Sequence, residues 1–188
     1  MTVELVAPSL AHLASYVAAL EADWSPDNVR GLVATREHLA SIARDPADFL
    51  AGLSEEAPLG RTITLPDGAV VPRQWAFTRW IWDGAFCGSI TFRWRPGGAS
   101  LPEHVPGHIG FAVVPWKRAK GCATLALGLI LPEARARGLD YVELTALEEN
   151  VASRRVIEAN GGTFVRRFEK SPHLGGGETL LYRISLAR

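Results

Sequence analysis

Hydrophobic and polar residues follow one another along the chain in patterns that predict a series of short elements. Residues 3–6 alternate as in a strand, and apolar residues at helical spacing predict an amphipathic helix over residues 9–23. Two shorter helices are predicted over residues 37–44 and 47–53. Residues 54–72 are rich in Pro and Gly, and we therefore expect a loop there.

The next apolar segments predict a β-hairpin and a further strand. Residues 74–82 and 86–94 are both aromatic and apolar, and the intervening Asp83 and Gly84 are typical of a hairpin turn. A nearly continuous apolar run predicts another strand over residues 108–114.

The C-terminal half alternates between helices and strands. A long helix is predicted over residues 119–137, with Gly138 ending it and Pro132 bending or interrupting it. A strand, a helix and two more strands follow, over residues 141–145, 150–160, 164–168 and 180–185. Antiparallel strands followed by this alternation predict a mixed α+β fold rather than a dinucleotide-binding fold.

Length and composition are those of one globular domain. The chain has 188 residues, of which 47% are hydrophobic, and shows no internal repeat, so we expect a single domain over residues 1–188. Lys and Arg number 20, as do Asp and Glu, which gives a formal net charge of zero. We therefore expect neither nucleic acid nor an anionic membrane as a partner, whereas a homodimer is compatible with this charge.

Cysteine usage points to a reducing compartment. Cys87 and Cys122 are too few for a disulfide framework, and neither they nor the five histidines show the spacing of a metal site. No signal peptide or membrane-spanning stretch is visible, so we expect a cytoplasmic protein that binds no metal.

The segment from Val113 to Thr124 carries the clearest chemical signal. An apolar strand ends at Pro115, and a basic turn with Gly121 leads directly into the long helix. Unpaired N–H groups and the helix dipole make such a helix start an anion site, to which Lys117, Arg118 and Lys120 would add charge for phosphate. The alternative is a well-capped helix with solvated basic residues.

A Walker A loop and a G-x-G-x-x-G fingerprint are absent from the sequence, which disfavours ATP and NAD as ligands.

A set of ordered motifs resembles the GNAT superfamily of N-acetyltransferases. Residues 118–123, Arg-Ala-Lys-Gly-Cys-Ala, fit its R/Q-x-x-G-x-G/A signature, and residues 108–114 stand where its central strand stands. The Asn-led helix that begins at Asn150 and ends in Gly161-Gly162 resembles its second characteristic block. The resemblance covers residues 107–168, and the Gly-His-Ile-Gly strand is similar to that of a bacterial subgroup of acetyltransferases.

The resemblance implies a fold, a co-substrate and a reaction. The fold would be a mostly antiparallel twisted sheet of about six to seven strands flanked by helices, with the strand ending at Val114 splayed from the one beginning at Tyr141. Acetyl-coenzyme A would lie in that gap, and an amine would attack its thioester directly. The residues that would bind the coenzyme are Val113, Val114, Arg118, Ala119, Lys120, Gly121, Cys122, Ala123, Thr124, Asn150 and Ser153.

Proton transfer is less well specified by the sequence. His108 is the candidate base, because it stands where several GNAT enzymes carry a glutamate and its ordinary pKa suits proton removal near neutral pH. A histidine merely packed or hydrogen-bonded on the strand is the competing interpretation, and Glu103 is the reserve base. Where many of these enzymes have a tyrosine as the acid, this chain has Ile157, which cannot donate a proton.

Two functions therefore remain open at this point. One is acetyl transfer to a primary amine. The acceptor would be selected by loops, and the sequence of these loops does not indicate which amine they bind. The other is a catalytically weak module that binds coenzyme A as a sensor or within an assembly, which the missing tyrosine favours.

Overall fold

The fold is known from a computed structural model of the chain, which divides into two compact units. The first unit consists of Met1–Glu55, Phe77–Thr91 and Phe111–Leu129, and the second of Glu56–Ala76, Phe92–Gly110 and Ile130–Arg188. The residues that the structure describes are 2–54, 56–57, 60–64, 68–102, 104–172 and 175–186.

Five α-helices and nine strands lie in the described residues. The helices are α1 (Leu10–Glu21), α2 (Leu32–Arg44), α3 (Pro46–Ser54), α4 (Cys122–Ala136) and α5 (Val151–Ala159). The strands are β1 (Glu4–Val6), β2 (Thr62–Thr64), β3 (Val70–Pro72), β4 (Trp75–Trp82), β5 (Phe86–Trp94), β6 (Ile109–Val113), β7 (Tyr141–Leu147), β8 (Thr163–Glu169) and β9 (Glu178–Ser185). None of these helices is both long and apolar enough to cross a membrane.

Strands β1, β4, β5 and β6 pair in that order, which leaves β6 at the end of the sheet. The Val114 N–H donates to the Cys87 carbonyl at 3.0 Å and the Arg93 N–H to the His108 carbonyl at 2.7 Å, so β6 runs antiparallel to β5. The two backbones approach closely at Gly88, where a Cβ atom would lie 2.2 Å from the Ala112 carbonyl oxygen. A side chain at position 88 would therefore have to push the strands apart.

Strands β7, β9 and β8 form a second sheet, which belongs to the second unit. Strand β9 lies between the other two and pairs antiparallel with both, and the pairing with β8 shifts between Phe164 and Arg166. The seven strands of the two sheets match the predicted number, but pairing divides them into a four-stranded and a three-stranded sheet. The mixed α+β fold is confirmed.

Aromatic side chains fill the core of the first unit. Tyr16 of α1 stacks on Trp80 of β4, with ring centroids 4.7 Å apart, and Phe86 of β5 packs edge-on against both. Trp24 belongs to the same buried cluster. Burial of this much aromatic surface joins α1 to the sheet and fixes the face of the hairpin that the helices cover.

Several predicted boundaries were wrong, each for a local reason. The predicted loop 54–72 contains β2 and β3, whose largely exposed residues give no alternating apolar signal. Helix α4 begins three residues later than expected, because Ala119 and Gly121 take left-handed backbone conformations that a right-handed helix cannot include. Pro132 lies inside an uninterrupted α4, since the residue four positions earlier is the exposed Gly128, whose carbonyl water can reach.

Candidate active site

The connection between β6 and α4 is a tight, exposed turn in the first unit. After the 3₁₀ turn Pro115–Lys117, the backbone takes left-handed conformations at Ala119 (φ +57°) and Gly121 (φ +79°). The Leu125 N–H donates to the Gly121 carbonyl at 3.0 Å, which makes this the first hydrogen bond of the α4 spiral. Glycine takes a left-handed conformation freely, whereas alanine pays a steric cost for it.

This turn has the chemistry of an anion site. Residues 118–121 are exposed, and the first N–H groups of α4 have no intrahelical acceptor. A Cβ atom at Gly121 would meet no atom within 4 Å, so the space beside this backbone is open. The helix dipole adds partial positive charge at the same place. An exposed pyrophosphate therefore fits the residues present.

The basic side chains of the turn have different partners. Lys117 Nζ lies 2.8 and 2.7 Å from the two carboxylate oxygens of Asp83, whose side chain is only 6% exposed. The hydrogen bond from Lys117 lowers the pKa of Asp83, and that from Asp83 raises the pKa of Lys117. Lys117 is thus engaged by Asp83, which favours a structural role for this side chain over a contribution to phosphate binding. Lys120 is exposed.

Removing the cation of this ion pair should destabilise the protein. In Lys117→Met the Asp83 carboxylate would remain buried without its partner, at an expected cost of about 1–3 kcal/mol. Thermal unfolding at neutral pH measures this loss. Asp83→Asn with Lys117→Met should recover most of it, because the double variant buries no charge. Equal melting temperatures of wild type and Lys117→Met would contradict the prediction.

Several backbone groups at the end of β6 already form hydrogen bonds within the protein. The Val114 N–H donates to Cys87, and the Val114 carbonyl accepts from the Lys117 N–H at 3.0 Å. The Arg118 Nε donates to the Val113 carbonyl at 3.2 Å. Of the two valines expected to pair with the coenzyme, Val114 is therefore engaged through both of its backbone groups.

His108 lies in the second unit and is fully buried, with no exposed surface. The ring atom Nδ1 accepts a hydrogen bond from the backbone N–H of Glu143 at 2.9 Å. The backbone N–H of His108 donates to the Glu143 carbonyl at 2.7 Å. A backbone N–H can only donate, so Nδ1 is unprotonated and the neutral ring carries its proton on Nε2. Burial lowers the pKa of His108, against the opposing effect of the Glu143 carboxylate.

This geometry favours the interpretation of His108 as a packed, hydrogen-bonded strand residue over its interpretation as the general base. Nδ1 already accepts a hydrogen bond, and Nε2 is buried, with the Ala99 backbone beside the ring. Gly107 reinforces the contact, since a Cβ there would lie 2.9 Å from the Glu143 carbonyl oxygen. The reserve base, Glu103, lies outside the described residues.

The Asn-led helix α5 begins as a capped helix. Asn150 Oδ1 accepts the Ser153 N–H at 3.1 Å, which is the N-cap arrangement. Ile157, at the place of the usual tyrosine, is 1% exposed and belongs to the core. Tyr182 is also buried, and its hydroxyl donates to Glu158 Oε1 at 3.1 Å and accepts from Arg154 Nε at 3.1 Å.

Cys122 and Cys87 are small buried residues of the first unit. Cys122 is 2% exposed and Cys87 is fully buried, and burial raises the pKa of the Cys87 thiol to about 12. The burial of Cys122 supports a packing role for its side chain. In the described part of the chain, no group of three or more His, Cys, Asp or Glu side chains is arranged to hold a metal ion.

Comparison with known families decides the class of protein. The family model of the acetyltransferase (GNAT) domain matches residues 4–163. The chain is a GNAT acetyltransferase. It is therefore an acyltransferase by family, and the resemblance of residues 107–168 to this superfamily is confirmed. No curated protein matches this acetyltransferase.

Solved structures share its fold at low sequence identity. The microcin C7 self-immunity acetyltransferase MccE, solved with acetyl-CoA and AMP, is 13% identical with a TM-score of 0.64, over 98% of this chain and 92% of that one. Mycobacterium smegmatis RimJ is 20% identical with a TM-score of 0.61, over 98% and 82%. The Salmonella typhimurium acetyltransferase that modifies the N-terminal serine of ribosomal protein L7/L12 is 15% identical with a TM-score of 0.62, over 99% and 96%.

Asp83 and Trp80 were not singled out from the sequence. Asp83 was assigned only to the hairpin turn, and its ion pair with Lys117 spans 34 positions. Trp80 is one of several aromatic residues in the hairpin, and its indole N–H is buried without an acceptor in the described residues. No local pattern signals either role, because each depends on a tertiary neighbour.

Proposed function

We propose that the protein transfers the acetyl group of acetyl-coenzyme A to a primary amine by direct attack within a ternary complex, using one domain over residues 1–188. The observation that carries the proposal is the exposed turn 118–121, with its two left-handed residues at the start of α4, in a chain of this family. Structural neighbours have been solved with acetyl-CoA, which supports the same co-substrate here.

Backbone groups supply most of the proposed coenzyme site. The N–H groups of residues 119–123 would bind the pyrophosphate, with Arg118, Lys120 and Thr124 at its edge. The N–H groups of successive residues in a strand point in opposite directions, so the Val113 N–H would point away from β5. It would then be available to the pantetheine arm or the thioester carbonyl. Asn150 and Ser153 remain proposed contacts, in addition to the cap that they form.

Acetyl-coenzyme A supplies an activated acetyl group, so the protein has to position the amine and manage two protons. His108 or Glu103 would take the proton of the ammonium, although the hydrogen bonds of His108 favour a positioning role. Ile157 leaves the usual acid position apolar. The acid is then another group or water, or the thiolate leaves without one.

The acceptor class is a further part of the proposal. Several structural neighbours act on the N-terminal amine of ribosomal protein L7/L12. This supports an α-amine as one acceptor for this chain, alongside small free amines. A homodimer and a cytoplasmic location stay predictions.

A coenzyme A-binding sensor or assembly module is the second candidate function. The apolar Ile157 and the engaged ring of His108 favour it, since neither provides proton transfer. Release of free thiol from acetyl-CoA on addition of any amine would exclude this alternative.

The co-substrate can be tested by thermal shift. A ligand that binds only the folded state at 100 times its Kd stabilises that state by about 2.7 kcal/mol. We expect acetyl-CoA to raise the melting temperature, and ATP and NAD at equal concentration to have little effect. Stabilisation by ATP or NAD without stabilisation by acetyl-CoA would refute the assignment.

A further inference from the structure

A cavity of about 150 Å³ lies within the first unit, between the four-stranded sheet and helices α1–α3. Its floor is formed by one face of β4 and β5, where Thr78, Trp80, Ser89 and Thr91 follow the two-residue repeat of strands. Tyr16 and His38 form part of the opposite wall, and Asp27 and Arg30 also line the cavity.

One residue that lines this cavity carries a donor without a partner among the described residues. Trp80 is fully buried, and its Nε1 has no hydrogen-bond acceptor among the described residues. A buried donor that stays unpaired costs about 1–3 kcal/mol, so natural proteins rarely leave one. Because the indole nitrogen only donates, the missing partner is an oxygen or another acceptor.

Most of the remaining polar groups of the cavity are neutral, whereas Asp27 and the exposed Arg30 carry charge. Tyr16 Oη and His38 Nδ1 are hydrogen-bonded at 2.7 Å, and the hydroxyls of Thr78 and Thr91 at 2.9 Å. Burial raises the pKa of Tyr16 and lowers the pKa of His38, so both are uncharged at neutral pH. Beside these neutral side chains a charged group would lose hydration at a much higher cost than an uncharged oxygen-bearing group.

Size and position restrict the occupant further. Water takes about 30 Å³ in the liquid, so the cavity has room for about five waters or one substituent of a few heavy atoms. The floor residue Ser89 follows Gly88, where β5 approaches Ala112 and Val113 of β6 most closely. The cavity therefore borders the backbone at which acetyl transfer is proposed.

We propose that this cavity receives the small uncharged group beside the amine of the acceptor, with the Trp80 N–H donating to its hydroxyl oxygen. The inference rests on the proposed acetyl transfer and adds a substrate class, namely primary amines with a hydroxyl group a few bonds from the nitrogen. Large polycationic amines are excluded from this class by the size of the cavity.

Two pairs of amines of matched shape test this. Serine amide is compared with 2-aminobutyramide, and 2-aminoethanol with propylamine, so that a hydroxyl replaces a methyl group in each pair. In wild type we expect kcat/KM to favour the hydroxyl member about tenfold, as expected for loss of one hydrogen bond to a buried donor. In Trp80→Phe this preference should disappear. Trp24→Phe, which shortens a buried tryptophan outside the cavity, should keep it.

A binding readout makes the test independent of turnover. The indole N–H signal of Trp80, identified by its loss in Trp80→Phe, should shift in NMR spectra when serine amide is added with coenzyme A, and much less with 2-aminobutyramide. An unchanged signal together with equal kcat/KM within each pair would overturn the inference and mean that the cavity holds only water. Failure of acetyl-CoA to bind at all would instead overturn the proposed function.

Discussion

Valine at position 121 is expected to weaken coenzyme A binding by about 30-fold. Gly121 has a φ of +79°, a left-handed conformation that costs other residues about 1–2 kcal/mol and β-branched ones more. The variant turn should relax away from this conformation, and binding would then have to restore it. A valine side chain would also fill the open space beside the backbone. Isothermal titration calorimetry with coenzyme A measures the loss.

Gly138 provides a matched control at the other end of the same helix. Its φ is +78°, and a Cβ atom there would also meet no atom within 4 Å. Gly138→Val should therefore lower stability to a similar degree while leaving coenzyme affinity unchanged. If folded Gly121→Val binds coenzyme A as wild type does, the proposed phosphate site is wrong.

Replacing His108 with leucine is expected to destabilise the protein and to lower turnover, whereas asparagine should rescue most of both. Leucine leaves the Glu143 N–H without an acceptor, at a cost of about 1–3 kcal/mol. Asparagine offers an oxygen near the position of Nδ1 but does not titrate near neutral pH. Since the pKa of His108 is lowered in the folded state, its unfolded form binds more protons as pH falls below about 6.5. Wild type should therefore lose more stability than His108→Asn between pH 7 and pH 5.

The same two variants separate positioning from base catalysis. A general base contributes about 10²–10⁴-fold to the rate. If His108 is the base, both variants should lose turnover by that factor, and the rise of the rate with pH should vanish in both. That outcome, with equal losses of stability in wild type and His108→Asn between pH 7 and pH 5, would contradict the positioning role.

Elements with a strong apolar pattern could be predicted from the sequence to within a residue or two. Strand β5 was predicted at its observed bounds, because residues 86–94 are apolar and a turn signal precedes them. Helix α2 was predicted to begin at Glu37, but it begins at Leu32. Its first turn carries the exposed Leu32 and Val33, so apolar spacing there does not mark a buried face.

The candidate site could be predicted only where it depends on local backbone. Gly121 and the helix start are visible in the sequence, because a glycine before an apolar helical run has a local meaning. Ala119 is not, since alanine rarely adopts a left-handed conformation and nothing in its type indicates one. The Asp83 partner of Lys117 and the lone donor of Trp80 are also tertiary properties. They emerge only when the hairpin and the helices are packed together.

The contact at Gly88 also bears on how proteins of this kind can diverge. Position 88 accepts no side chain while β5 and β6 stay paired, so we expect a substitution there to disrupt the sheet rather than to alter substrate preference. Ser89 and Thr91 lie beside it but point into a cavity, where residues of another size or polarity can be accommodated. Adjacent positions of one strand therefore serve different purposes: Gly88 maintains the pairing of β5 with β6, and Ser89 contributes to the cavity proposed for the acceptor.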